Sequence, residues 1–266
     1  VGREFTNYSQ HSGTQAKQSE KALKMLAEAV KKELKSGESV HAVLDAGCGD
    51  GEVTEQLDRV LRNEAGIKEL KILGLDKTNK RLSEARKNHS TRDISYVRGD
   101  LKTPPVNYQF DAIFSNAALH WISEQDEMYR NFNKILRKDG ILTVHQGAAG
   151  SYIELHNIAV KTAQAMGINI QERKMPPAYL SPDEATGLLE NHDFNVVEMD
   201  AVEYPIQEEE IVHDFAEASL SSYFDEISGE KKIMKFKERF IENGTTYMKE
   251  GGQVAARRLY FTALNS

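Results

Sequence analysis

The sequence predicts an α/β fold, a largely parallel sheet flanked by helices. Three observations predict it. Short apolar runs alternate with amphipathic helical stretches, which is the pattern of βα units. A glycine-rich turn, Gly47-Cys48-Gly49-Asp50-Gly51, follows the first apolar run, where a strand would hand over to a helix. Acids stand at the ends of the first three runs, at Asp45, Asp76 and Asp100.

Taken in order, the first helix spans Thr14 to Leu34, with Leu23, Leu26, Ala27 and Val30 on one face, and Ser36-Gly37 ends it. Val40 to Ala46 is the first strand, and a helix with Val53, Leu57 and Val60 on one stripe starts near Glu52. Lys71–Leu75, Ile94–Arg98 and Phe110–Ser115 read as the next three strands, with a polar helix at Asn79–Asn88 between the first two. Met128, Phe132, Ile135 and Leu136 mark a helix that should stop at Asp139-Gly140, before a fifth strand at Ile141–His145. A further helix covers Tyr152 to Met166. Ser181-Pro182-Asp183-Glu184 is a helix start in which Ser caps, Pro opens the first turn and Glu reaches back. Phe194–Val202 and Arg258–Leu264 complete a count of seven strands. Between them, 207–249 reads as a helical insertion, expected to cover the active site. The expected division is an N-terminal helical segment over 1–36, a Rossmann-like core over 37–206, a cap over 207–250 and a final strand over 251–266.

Composition narrows the function. The 266 residues carry a formal net charge of -7, whereas a nucleic-acid binder usually presents a basic face to phosphates. The basic run around Lys231, Lys232, Lys235, Lys237 and Arg239 is interleaved with glutamates and reads as a solvated helix face. No apolar run is long enough for a bilayer, and Val1 to Thr6 contains no signal-peptide core. The single cysteine, Cys48, excludes an internal disulfide and a cysteine-based zinc site. These features suit a reduced, cytoplasmic setting, a small-molecule substrate, and neither nucleic-acid nor membrane partners; no metal site is expected.

The glycine turn decides the cofactor. Glycines let the chain turn sharply and approach a ligand, and the following helix start adds exposed N–H groups. A dinucleotide site needs Gly-x-Gly-x-x-Gly, but the sixth position from Gly47 is Glu52. Asp45 before the turn would repel a pyrophosphate and favour a ligand with an amino group and a sulfonium, namely S-adenosylmethionine (SAM). Asp76 is placed to accept from both ribose hydroxyls. Asp100 is placed to accept from the adenine amino group, with Leu101 packed on the ring. Asn116 and Ala117 are expected to meet the methionine part through backbone groups. Cys48 and Lys77 belong to the same two turns. His120 and Trp121, in a small-residue turn after the fourth strand, should line the methyl-transfer chamber.

These motifs together resemble the class I SAM-dependent methyltransferases. Asp45 to Gly51, Ser115-Asn116-Ala117-Ala118-Leu119-His120-Trp121 and the tail Gly251 to Ala263 are similar to the branch containing trans-aconitate methyltransferase, malonyl-carrier methyltransferase and juvenile hormone acid methyltransferase. The resemblance implies a seven-stranded sheet with its last strand antiparallel. It implies SAM, released as S-adenosylhomocysteine, held by Gly47, Gly49, Asp76, Asp100, Leu101 and Asn116. An N-terminal Tyr and Gln often reach SAM in this branch, which makes Tyr8 and Gln15 candidates. The expected reaction is in-line methyl transfer to a small-molecule acceptor, a carboxylate by preference. A carboxylate needs no base, because it is ionised at pH 7, whereas an amine acceptor would use His120 as base. A SAM-binding module without methyl transfer is the further alternative. An acidic substrate needs a cationic clamp, for which Arg257 and Arg258 are candidates. Strand alternation points only one of them into the pocket, and the family-like tail favours Arg258.

Overall fold

The computed structural model describes residues 12–36, 40–169, 179–220, 223–224 and 227–266. Seven strands form one sheet: β1 (Ala42–Ala46), β2 (Lys71–Asp76), β3 (Ile94–Arg98), β4 (Phe110–Asn116), β5 (Leu136–Gly147), β6 (Phe194–Ile206) and β7 (Val254–Asn265). Their order is β3-β2-β1-β4-β5-β7-β6, and β3 to β5 pair in parallel through that series. The order reverses between β1 and β4, the point at which doubly wound sheets open a crevice beyond the strand ends.

β7 runs against β5. Thr143 meets Thr262 through their hydroxyls at 3.1 Å, and the Ala148 amide donates to the Arg257 carbonyl at 3.0 Å. As numbers rise on one strand they fall on the other, so the sheet is parallel but for this strand. β7 begins at Val254, four residues before the expected start at Arg258.

Among the described residues, eight α-helices precede or connect the strands: α1 (Ser12–Ser36), α2 (Glu52–Asn63), α3 (Asn79–Asn88), α4 (Gln125–Ile135), α5 (Ile153–Ala165), α6 (Pro182–Glu190), α7 (Glu210–Ala218) and α8 (Glu230–Lys249). The predicted cap on α6 forms: Ser181 Oγ accepts from the Glu184 amide, and the Glu184 carboxylate accepts from the Ser181 amide at 2.9 Å. α4 stops at Ile135, short of the expected Asp139-Gly140. Leu136 already pairs with Phe110, and the β4–β5 register then shifts so that Ala112 meets Ile141. Asp139 takes a left-handed φ of 58° inside that irregular stretch. Asn265 anchors it, donating to the carbonyls of Asn133, Leu136 and Arg137 at 3.1, 2.8 and 3.2 Å.

The chain divides into two compact units. One comprises Gly13–Gln146, Leu180–Ala201 and Leu259–Ser266; the other comprises Val1–Ser12, Gly147–Tyr179 and Val202–Arg258. The core of the first is the sheet interior, Val43, Leu44, Ile72, Leu75, Ile113 and Phe114, extended by Tyr129 and Phe132 of α4 against Phe194. These strands are buried on both faces and therefore read as continuous apolar runs.

The second unit has its own cluster, with α5 supplying Leu155 and Ala159, α7 Val212 and Phe215, and α8 Phe236 and Phe240. Phe215 and Tyr223 are buried within it. His156 is enclosed in the same cluster, Nδ1 to the Tyr223 hydroxyl at 2.8 Å and edge-on to Phe215. Burial lowers the His156 pKa from 6.5 to about 4. Among the described residues no helix is long and apolar enough to cross a membrane, and no cluster of His, Cys, Asp and Glu could hold a metal ion.

Candidate active site

β1 delivers Asp45 and Ala46 to the end of the strand, and the chain then turns through three left-handed glycines, Gly47 (φ 86°), Gly49 (57°) and Gly51 (89°). Only glycine takes such angles cheaply. At Gly47 space forbids any other residue as well, since a Cβ there would lie 2.2 Å from that of Ala118. The turn is tied to the end of β2. Gly47 and Cys48 donate their amides to the Leu75 carbonyl at 2.8 and 3.1 Å, and Gly49 donates to Asp76 Oδ2 at 3.2 Å. Asp76 Oδ1 accepts from the Thr78 amide at 2.7 Å. α2 then starts at Glu52 with Gly51 as its N-cap, which offers no side chain, and the Glu52 amide donates to Asp50 Oδ1 at 3.4 Å.

Asp45 is 2% exposed, and Thr54 donates its hydroxyl to Asp45 Oδ2 at 2.6 Å. Its carboxyl thus secures the first turn of α2. Burial raises its pKa from 3.8 to about 7, against the Thr54 bond, with the Asp76 charge adding to the rise. Cys48 is buried, and burial together with Asp45 and Asp76 pushes its thiol pKa far up, so it is an inert packing residue.

Lys77 is exposed beyond β2, where its carbonyl accepts from Arg98 Nε at 3.2 Å. Asp100 is exposed after β3 and accepts from the Lys102 amide at 2.9 Å, while Leu101 is buried beside it.

β4 ends in a second strained turn. Ala117 has a φ of 54°, held by its amide donating to the His145 carbonyl at 2.8 Å. His145 Nδ1 meets Asn116 Oδ1 at 2.7 Å, and the amide oxygen can only accept, so the ring nitrogen donates. The His145 ring stacks on Tyr260 with centroids 4.7 Å apart. His145 therefore orients Asn116, a role that reading the sequence missed because it depends on the Asn116–His145 register of two strands. A short 3₁₀ turn, Leu119–Trp121, follows and is pinned by Gln125 Nε2 donating to the Leu119 carbonyl at 3.2 Å. It buries His120 and sets the Trp121 ring 5.2 Å away, centroid to centroid.

The structure thus gathers Asp45, Gly47, Cys48, Gly49 and Asp76 on two neighbouring turns. Ala118 links the turn of Asn116 and Ala117 to them at Gly47, and the Leu101 side chain lies 3.8 Å from a Cβ built on the same glycine. Arg258 belongs to the other unit, where its guanidinium donates to Ser151 and Tyr152. Tyr8 and the Gln15 side chain lie outside the described residues. The residues present fit SAM: a glycine cradle that a Cβ would fill, a helix start with glycine as its N-cap, and a carboxylate at the end of β2.

The fold and the two turns are those that the resemblance to class I SAM-dependent methyltransferases implies. Residues 44–144 match the family described as a methyltransferase domain, and the cofactor is SAM. The chain is similar to malonyl-[acyl-carrier protein] O-methyltransferase of Bacillus cereus, 23% identical over 209 residues, 78% of this chain and 73% of the relative. It is similar over 102 residues, at 32% identity, to juvenile hormone acid O-methyltransferase of Bombyx mori, covering 37% of this chain and 35% of that enzyme. In fold it matches a candidate methyltransferase from Bacillus halodurans with a TM-score of 0.56 and 14% identity, covering 89% and 98% of the two chains. The matches to relatives therefore span about three quarters of one and about a third of the other.

Proposed function

We propose that the protein methylates the carboxylate of a small organic acid, giving a methyl ester, in the cytoplasm. The observation that carries this reading is the pair of relatives named for O-methylation of malonyl and juvenile hormone acid groups, both of which offer a carboxyl oxygen. The glycine turn (Gly47, Cys48, Gly49) and Asp45 with Asp76 and Lys77 would hold the cofactor's methionine and ribose ends. Asp100 and Leu101 would hold the adenine, and Asn116, Ala117, Tyr8 and Gln15 would complete the binding set. Bound SAM supplies an electrophilic methyl group on a sulfonium.

The protein's task is then to align the acceptor oxygen and exclude water. His120 and Trp121 are assigned to that alignment and Arg258 to pairing with the carboxylate. A carboxylate arrives ionised, so His120 positions it without taking a proton.

The test uses SAM labelled on the methyl group with a pool of free and carrier-bound carboxylic acids, followed by treatment with base. Label released as volatile methanol is the expected result and marks a methyl ester. Label retained in a base-stable product overturns the carboxyl reading and gives His120 the work of deprotonating an amine or phenol.

A further inference from the structure

We infer that Thr54 is a positioning residue for the cofactor: it holds the Asp45 carboxyl at one oxygen and favours its ionised form, leaving the other oxygen to accept from the cofactor's ammonium group. This rests on the reading of Asp45 as a cofactor-binding acid and adds the neighbour that governs it.

The argument starts from the place of one hydroxyl. Thr54 is the third residue of α2, following Gly51 as N-cap, and it is fully buried together with Leu57 and Leu61. Those three positions share one face of the helix. Valine has nearly the shape of threonine and would fill that place with no polar atom to desolvate, whereas a buried hydroxyl is costly unless it is bonded. The Thr54 hydroxyl is bonded outside its own helix. It donates to Asp45 Oδ2 at 2.6 Å, which ties the first turn of α2 to the end of β1. That length is typical of a hydroxyl bonded to a carboxylate.

Asp45 depends on this bond. Among the described residues no other group donates to its carboxyl and no cation pairs with it, so Oδ1 is left for a ligand. The groups around it favour the neutral acid. Asp76, at the end of β2, is a like charge. Cys48 in the turn and Tyr96 of β3 are neutral, since burial pushes the thiol far up and the phenol to about 12. Asp50 of the turn is exposed, and Arg81 of α3 brings its Nη1 to 3.9 Å from a Cβ built on Gly49. Burial and Asp76 thus drive the Asp45 carboxyl to keep its proton, and the Thr54 bond works against them, with the balance at about 7.

That balance matters to this ligand in particular. The amino-acid end of SAM carries an ammonium, which donates and cannot accept. A protonated acid meets it with no charge, and the ionised acid meets it with an opposite one. A donor that stabilises the carboxylate therefore strengthens cofactor binding at neutral pH, and does so without touching the cofactor.

The test measures binding of S-adenosylhomocysteine to the full chain by calorimetry from about pH 6 to pH 8. This probe keeps the amino-acid end and lacks the sulfonium. Wild-type affinity is expected to rise with pH through about 7, as Asp45 gives up its proton. T54V and T54A both remove the hydroxyl, the second with a residue that suits a helix. Each should move the rise upward by about one pH unit, so that binding is about tenfold weaker at the acid end, in line with loss of a hydrogen bond to a charged group. T54S keeps the hydroxyl and should restore the wild-type profile. Asp45→Asn cannot ionise and should flatten it. Binding weakened by the same factor at every pH in T54V and T54A overturns the inference, because lost packing does not titrate. A wild-type affinity that does not change with pH overturns it as well. Wild-type affinity and profile in Asp45→Asn remove Asp45 from the binding set, and the inference falls with that reading.

Discussion

The Gly49 amide donates to Asp76 Oδ2 at 3.2 Å, so the cofactor turn after β1 and the acid ending β2 form one hydrogen-bonded unit. Asp76→Ala should leave a folded protein, judged by an unchanged circular dichroism spectrum, and abolish measurable SAM binding by calorimetry. Asp76→Asn, which can satisfy one of the two amides, should weaken SAM at least tenfold, about 1.4 kcal/mol. Unchanged affinity in both variants would remove Asp76 from the binding set.

Gly47→Ala meets two obstacles, the left-handed φ and the Ala118 side chain 2.2 Å away. A cost of about 1–3 kcal/mol from the backbone alone is expected in urea denaturation. Adding Ala118→Gly should recover only the steric part. Full recovery in the double variant would show that the φ at Gly47 carries no strain.

Two buried groups give the units opposite pH responses. Asp45 keeps its proton to about pH 7 when folded, against an ordinary 3.8. The folded state therefore binds more protons between those values, and stability falls as pH rises from about 4 through 7. His156 is the reverse: its folded pKa of about 4 lies below the ordinary 6.5, so its contribution is present above 6.5 and lost as pH falls toward 4. Urea midpoints measured across this range should lose the first trend in Asp45→Asn and the second in His156→Gln. Midpoints with the same pH dependence as wild type would contradict the assignment of either group.

Asn265 donates to three carbonyls and accepts from Asn133 Nδ2 at 2.5 Å. Asn265→Ala should cost about 2–4 kcal/mol in unfolding free energy, because several buried polar groups lose their partner together. A loss below half a kcal/mol, roughly the scale of a surface substitution, would mean that the irregular β4–β5 stretch is held some other way.

Much of this architecture was legible in advance because its signals are local. The polar helix Asn79–Asn88 and the strand Ile94–Arg98 follow from periodicity and appear with those bounds. The glycine turn was legible because three left-handed residues in five need three glycines. What depends on pairing was not legible. The end of α4 was misplaced because Leu136 is taken by Phe110 across the sheet, a partner that helical spacing cannot reveal. The partnership of His145 with Asn116 needs the register of β4 and β5. The different partners of Arg257 and Arg258 come from Glu203, Glu154, Ser151 and Tyr152, all distant from them in sequence.

The strand order β5-β7-β6 also dictates how the chain must be assembled during synthesis. Residues 254–265 form an interior strand, although they follow β5 and β6 in the chain. Until they arrive, β5 and β6 cannot be joined, and β5 offers an open row of amides and carbonyls to any passing strand. β7 is therefore the strand that joins β5 to β6, and pairing it is the step that closes the inner edge of each.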